Sequence, residues 1–178
     1  MLCFVCHGQD KAIFHIPKLG NNIYEGVFTG NGLLGTMTYL KSSQSVRIDI
    51  GRTDIYDHRE KSNKKLFDKA RLSLGHFFIN FDVNIDSAGG AIFLQQAFSL
   101  TNIKTSAGIL QIKTTTLSED NIILIEVIKN AYNGNYSFDW CPDSAISPRI
   151  KFDYPQKPVH YIRNPLGKSG NSNGVSFY

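Results

Sequence analysis

The chain of 178 residues is 42% hydrophobic with a formal charge of +4, so it can bury a core and is neither a disordered polyelectrolyte nor a strongly basic nucleic-acid binder. No run reaches the eighteen or so apolar residues of a membrane span. Six Pro and fifteen Gly, set among many Ile, Phe, Tyr and Thr, favour β structure with frequent turns in a single domain.

The first residues, Met1-Leu-Cys-Phe-Val-Cys-His-Gly-Gln-Asp-Lys, begin apolar and turn small and polar. Residues 1–8 read as the back half of a secretory signal, with a small-x-small cleavage site at Cys6-His7-Gly8. On that reading the start codon is expected upstream of Met1, the protein in a secreted or periplasmic setting, and the domain itself over residues 9–178. The same letters spell Cys3-Phe-Val-Cys6-His7, a c-type haem attachment string. The string occupies the leader itself, and the rest of the chain lacks the helical pattern of a small cytochrome. Cys3, Cys6 and His7 are followed by no second Cys/His pair at ligand spacing. The expectation is therefore no cofactor and no metal, with Cys141 as a lone, small, buried thiol.

Residues 13–20, with Pro17 and Gly20, read as an extended lead-in. Residues 33–40 and 45–50 flank a Lys41-Ser-Ser-Gln44 turn. The second alternates strictly, Val46, Ile48 and Ile50 on one face and Arg47 and Asp49 on the other, which predicts a hairpin. Residues 60–71 form the one candidate helix. Alternation over residues 71–86 predicts a strand with one wet face, and Ala88-Gly-Gly90 predicts a turn after it. Further strands are expected over 91–98, 100–104, 109–117, 121–128 and 136–140, with Ser118-Glu-Asp120 as a turn. The chain loosens from Pro142 and ends at what reads as the opening of a strand, which suggests an incomplete C-terminus. About eight to ten strands separated by turn signals imply an all-β, antiparallel sandwich.

Gly30-Asn-Gly32-Leu-Leu-Gly35 matches the dinucleotide fingerprint by letter, and Asp49 falls near the place of a ribose-binding acid. Phosphate binding there needs the third glycine in a helix N-terminus. Thr36-Met-Thr-Tyr-Leu40 is poor helix and good strand, so the glycines read instead as positive φ or close backbone approach where a strand begins. Just downstream, Arg52, Asp54, Tyr56, Asp57, His58 and Arg59 concentrate carboxylates, guanidiniums, a phenol and an imidazole on a loop after a strand. They read either as a sugar-contacting rim or as a self-paired loop in which Asp54 and Asp57 hold Arg52 and Arg59. Trp140 reads as a sugar platform or, more simply, as core packing at a strand end.

Residues 30–37 and 51–59, with Arg71-Leu-Ser-Leu-Gly75, Gln96-Ala97, Ala107-Gly108 and the stretch from Trp140 to Arg149, resemble the N-terminal domain of bacterial enzymes similar to glycoside hydrolase family 95, the α-L-fucosidase group. The resemblance covers nearly the whole chain, though Tyr56 stands where that group commonly has Trp. It implies a β-sandwich of the supersandwich kind preceding an (α/α)₆ barrel that holds the catalytic carboxylate. None of the group's catalytic residues can be placed here, so no catalytic residue is assigned. The implied function is a non-catalytic sandwich supporting a catalytic barrel, with a glycan as ligand of the whole enzyme and neither nucleic acid nor membrane as a partner. A stand-alone carbohydrate-binding or structural module is the alternative.

Overall fold

The computed structural model describes residues 12–56 and 71–143, with the backbone of 170–172 and 175–177. The N-terminal leader reading, residues 60–70 of the helix reading over 60–71, and Asp57, His58 and Arg59 lie outside these residues, while Arg71 opens a strand. Among the described residues ten strands build the sandwich: β1 Ile13–Ile16, β2 Val27–Gly30, β3 Leu34–Ser42, β4 Ser45–Tyr56, β5 Arg71–Phe81, β6 Ile85–Phe93, β7 Phe98–Thr105, β8 Gly108–Thr116, β9 Ile123–Asn130 and β10 Tyr136–Pro142. Two short strands, β11 Gly170–Ser172 and β12 Val175–Phe177, form a separate antiparallel ribbon.

The ten strands make two five-stranded antiparallel sheets. Sheet I has the order β1-β6-β7-β8-β9 and sheet II the order β10-β5-β4-β3-β2. The expected β-sandwich is thus observed. The predicted hairpin is β3–β4, with Met37 opposite Asp49 and Thr38 opposite Ile48. Its alternation decides which face is buried: Val46, Ile48 and Ile50 turn inward and meet Ile79 of β5 and Ile103, Leu110 and Ile112 of sheet I. Full burial of each such side chain contributes about 1.5–3 kcal/mol. Trp140 also turns inward, its ring centroid 4.6 Å from that of Phe77, so it packs against the core.

Two side-chain links tie the sheets together near the start of β3. The Thr29 hydroxyl lies 2.9 Å from that of Thr36 and 2.8 Å from that of Thr116, joining β2 and β3 of sheet II to β8 of sheet I in a buried chain. Asn31 donates from Nδ2 to the Leu117 carbonyl at 2.8 Å, while its Oδ1 accepts from the backbone of Leu33 and Leu34.

Several sequence expectations are corrected. Ala88-Gly-Gly90 is no turn: it lies inside β6. A Cβ on Gly89 would meet the Pro17 carbonyl at 2.8 Å, and one on Gly90 would meet Val27 Cγ1 at 2.6 Å. These glycines permit close approach of neighbouring chain rather than reversal. The strand expected over 71–86 ends at Phe81, because Asp82 leaves the ladder to accept hydrogen bonds from the backbone and side chain of Asn135, each at 3.1 Å. The strand expected over 91–98 ends at Phe93, and Ala97 turns the chain with φ 53°. The residues after Ile50 are not loop: β4 continues through Tyr56.

Candidate functional site

The glycines of the opening motif have separate tasks. Gly32 takes φ +90°, a left-handed conformation, at the bend between β2 and β3. Gly30 and Gly35 face one another across β2 and β3, and Gly35 in turn faces Gly51 on β4. Gly51 faces Ser73 on β5. No helix follows Gly35, so the fingerprint has no helix N-terminus to present to a phosphate.

Three glycines side by side, on the face of sheet II that points away from the core, leave a trough across the strands. It opens into a groove of about 680 Å³, within the range of small-molecule sites. Phe28 and Met37 form an apolar wall on one side, and Leu33 and Thr53 stand on the other. A Cβ built on Gly51 meets nothing within 4 Å, so the floor of the trough is open space.

A bulge in β5 shapes one end. Ile50 pairs with Gly75 while the next residue, Gly51, pairs with Ser73, so Leu74 is extra and turns inward. Gly75 absorbs the distortion at φ +153°, with Trp140 packed over it. The shift returns Ser73 to the outer face beside Gly51.

Two polar clusters stand along the groove. In the first, Asp49 accepts from Arg47 Nε at 2.6 Å on Oδ1 and from the Tyr39 hydroxyl at 2.9 Å on Oδ2. Burial, reinforced by the hydrogen bond to and the charge of Asp49, pushes the Tyr39 phenol up to about 12. In the second, Asp143 receives the Ser73 hydroxyl on Oδ2 and lies 3.1 Å from His76 Nδ1 through Oδ1. The three residue types of a serine hydrolase are present in the wrong order. The hydroxyl is bound to the carboxylate instead of to an imidazole that could take its proton. Each oxygen of Asp49 and Asp143 already accepts from a neighbouring side chain, which suits fixed recognition better than acid–base turnover.

Of the sequence-predicted rim, Arg52, Asp54 and Tyr56 lie among the described residues. Arg52 and Asp54 form a two-pronged pair, Nε to Oδ1 at 2.9 Å and Nη2 to Oδ2 at 2.8 Å. That hydrogen-bonded fork holds the Asp54 carboxyl below the ordinary carboxylate range and raises Arg52. Arg52 lines the groove and the self-paired reading holds for this pair. Tyr56 ends β4 opposite Arg71. Sequence reasoning missed Tyr39, Ser73, His76 and Asp143. Arg47 and Asp49 were visible as the wet face of β4, but their company depends on register between strands far apart in the chain. Among the described residues no group of His, Cys, Asp and Glu is arranged to hold a metal, and Cys141 is a half-buried free thiol.

Comparison of the chain with protein-family models finds no match, and comparison with curated proteins finds none either.

Proposed function

We propose that this chain is a non-catalytic, carbohydrate-contacting β-sandwich of a secreted or periplasmic glycoside hydrolase of the fucosidase-like group, which supports a helical catalytic barrel and touches the glycan through the outer face of sheet II. The observation that carries this reading is the row Gly30, Gly35 and Gly51 across three strands, which makes a trough beside a wall that is apolar at Phe28 and Met37 and polar at Asp49. A sugar ring offers C–H-rich faces and a rim of hydroxyls. Phe28 and Met37 suit the former, and Arg47, Asp49 and Ser73 suit the latter. The resemblance of residues 30–37 and 51–59 to the hydrolase group supports the same assignment.

The test is calorimetric titration of oligosaccharides into the wild-type chain and into Gly51→Leu. The leucine has room, since its Cβ meets nothing, but it fills the trough. The reading expects glycan binding that the substitution abolishes, together with no release of chromophore from aryl glycosides. Undiminished binding by Gly51→Leu would remove the trough from the account, and hydrolysis by the chain alone would remove its non-catalytic role.

A further inference from the structure

Resting on the sugar-contact reading, we propose that the trough takes a glycan bearing an anionic group, a carboxylate or a sulfate, with Arg71 as the charged anchor. Among the described residues, the ionisable ones lining the groove are Arg47, Asp49, Arg52, Arg71 and Asp143. Arg47 is neutralised by Asp49 at 2.6 Å, and Arg52 is forked onto Asp54, with its shorter prong at 2.8 Å. Asp143 is engaged by Ser73 and His76. Arg71 lines the same groove, is exposed, and has no carboxylate partner among the described residues.

Its position follows from the register. Arg71 is the first residue of β5 and sits two residues before Ser73, so strand alternation puts both on one face. Ser73 ends the row Gly30, Gly35, Gly51, and Arg71 therefore stands just past the end of the trough. A neutral sugar lying in the trough offers this guanidinium no opposite charge. A uronate or sulfated sugar presents two oxygens at a spacing the planar fork matches, whereas an ammonium would supply only a point charge. The carboxylate of Asp143 repels an anion from the His76 side, so the charged substituent is directed to the Arg71 end.

The experiment titrates the full chain with three tetrasaccharides: tetragalacturonate, a sulfated carrageenan fragment and neutral cellotetraose. At least one of the anionic ligands is expected to bind more tightly than cellotetraose, and which of the two does so tells carboxylate from sulfate. Arg71→Gln should weaken that binding by at least about tenfold, with Arg71→Lys between the two. Raising NaCl from about 0.05 M to about 0.5 M should weaken the wild type and hardly affect Arg71→Gln. Equal affinity for cellotetraose, or no change in Arg71→Gln, overturns the anionic assignment. If cellotetraose binding persists and Gly51→Leu abolishes it, the sugar-contact reading survives that loss. If none of the three binds, both fall together.

Discussion

Gly75 and Gly51 lie on neighbouring strands within one turn of the same bulge, and an alanine at each should have opposite consequences. At Gly75 the backbone has φ +153°, where a side chain is strained by about 1–2 kcal/mol. The new Cβ would also stand 2.6 Å from two ring carbons of Trp140 and 2.7 Å from the Cys141 carbonyl oxygen. Forcing the ring off its seat adds about 1–3 kcal/mol of overpacking. Together these give about 2–5 kcal/mol of destabilisation. With a urea slope of about 2 kcal/mol per molar, the midpoint falls by about 1–2.5 M. At Gly51 the φ is not positive and a Cβ meets nothing within 4 Å. Alanine there should be neutral or stabilising by up to about 1 kcal/mol, because the unfolded chain loses freedom. The assay is urea unfolding followed by the fluorescence of the single Trp, Trp140, which sits over the perturbed glycine. Coincident midpoints for Gly75→Ala and Gly51→Ala would refute the bulge and the ring packing derived from it.

Three further outcomes are expected. Thr29→Val should cost about 1–3 kcal/mol in the same unfolding assay, because Thr36 and Thr116 both lose their partner. Adding Thr116→Val should then cost less than the sum of the single changes, and strict additivity would deny the hydroxyl chain. Tyr39 should ionise near 12, read as the ultraviolet difference between wild type and Tyr39→Phe, and Asp49→Asn should lower that value. The unfolded phenol ionises near 10, so this group's contribution of roughly 2–3 kcal/mol is complete below that pH and is lost as pH rises through the folded value. A Tyr39 value unmoved by Asp49→Asn would contradict the Tyr39–Asp49 bond.

The sequence carried the sandwich because β-hairpin alternation is local: Val46, Ile48 and Ile50 declare their face without reference to any partner strand. It misled at Gly89 and Gly90, since a glycine pair that lets Pro17 and Val27 approach looks, in one dimension, like a glycine pair that turns. It also misled at Arg52, Asp54 and Tyr56, where polarity suggested loop but pairing with Leu34 and Arg71 holds the strand. The site was legible only in pieces. Gly30, Gly35 and Gly51 become a trough because antiparallel register aligns them, and the extra Leu74 in β5 is what brings Ser73 alongside. Asp143 reaches Ser73 across a separation of 70 residues, a distance that no local pattern spans.

Backbone amide chemical-shift mapping during a titration with the tightest-binding oligosaccharide tests the trough most directly. The account predicts that shifts concentrate on Gly35, Gly51 and Ser73, with smaller ones at Met37 and Asp49. Shifts confined to the outer face of sheet I, or spread evenly over both sheets, would contradict it.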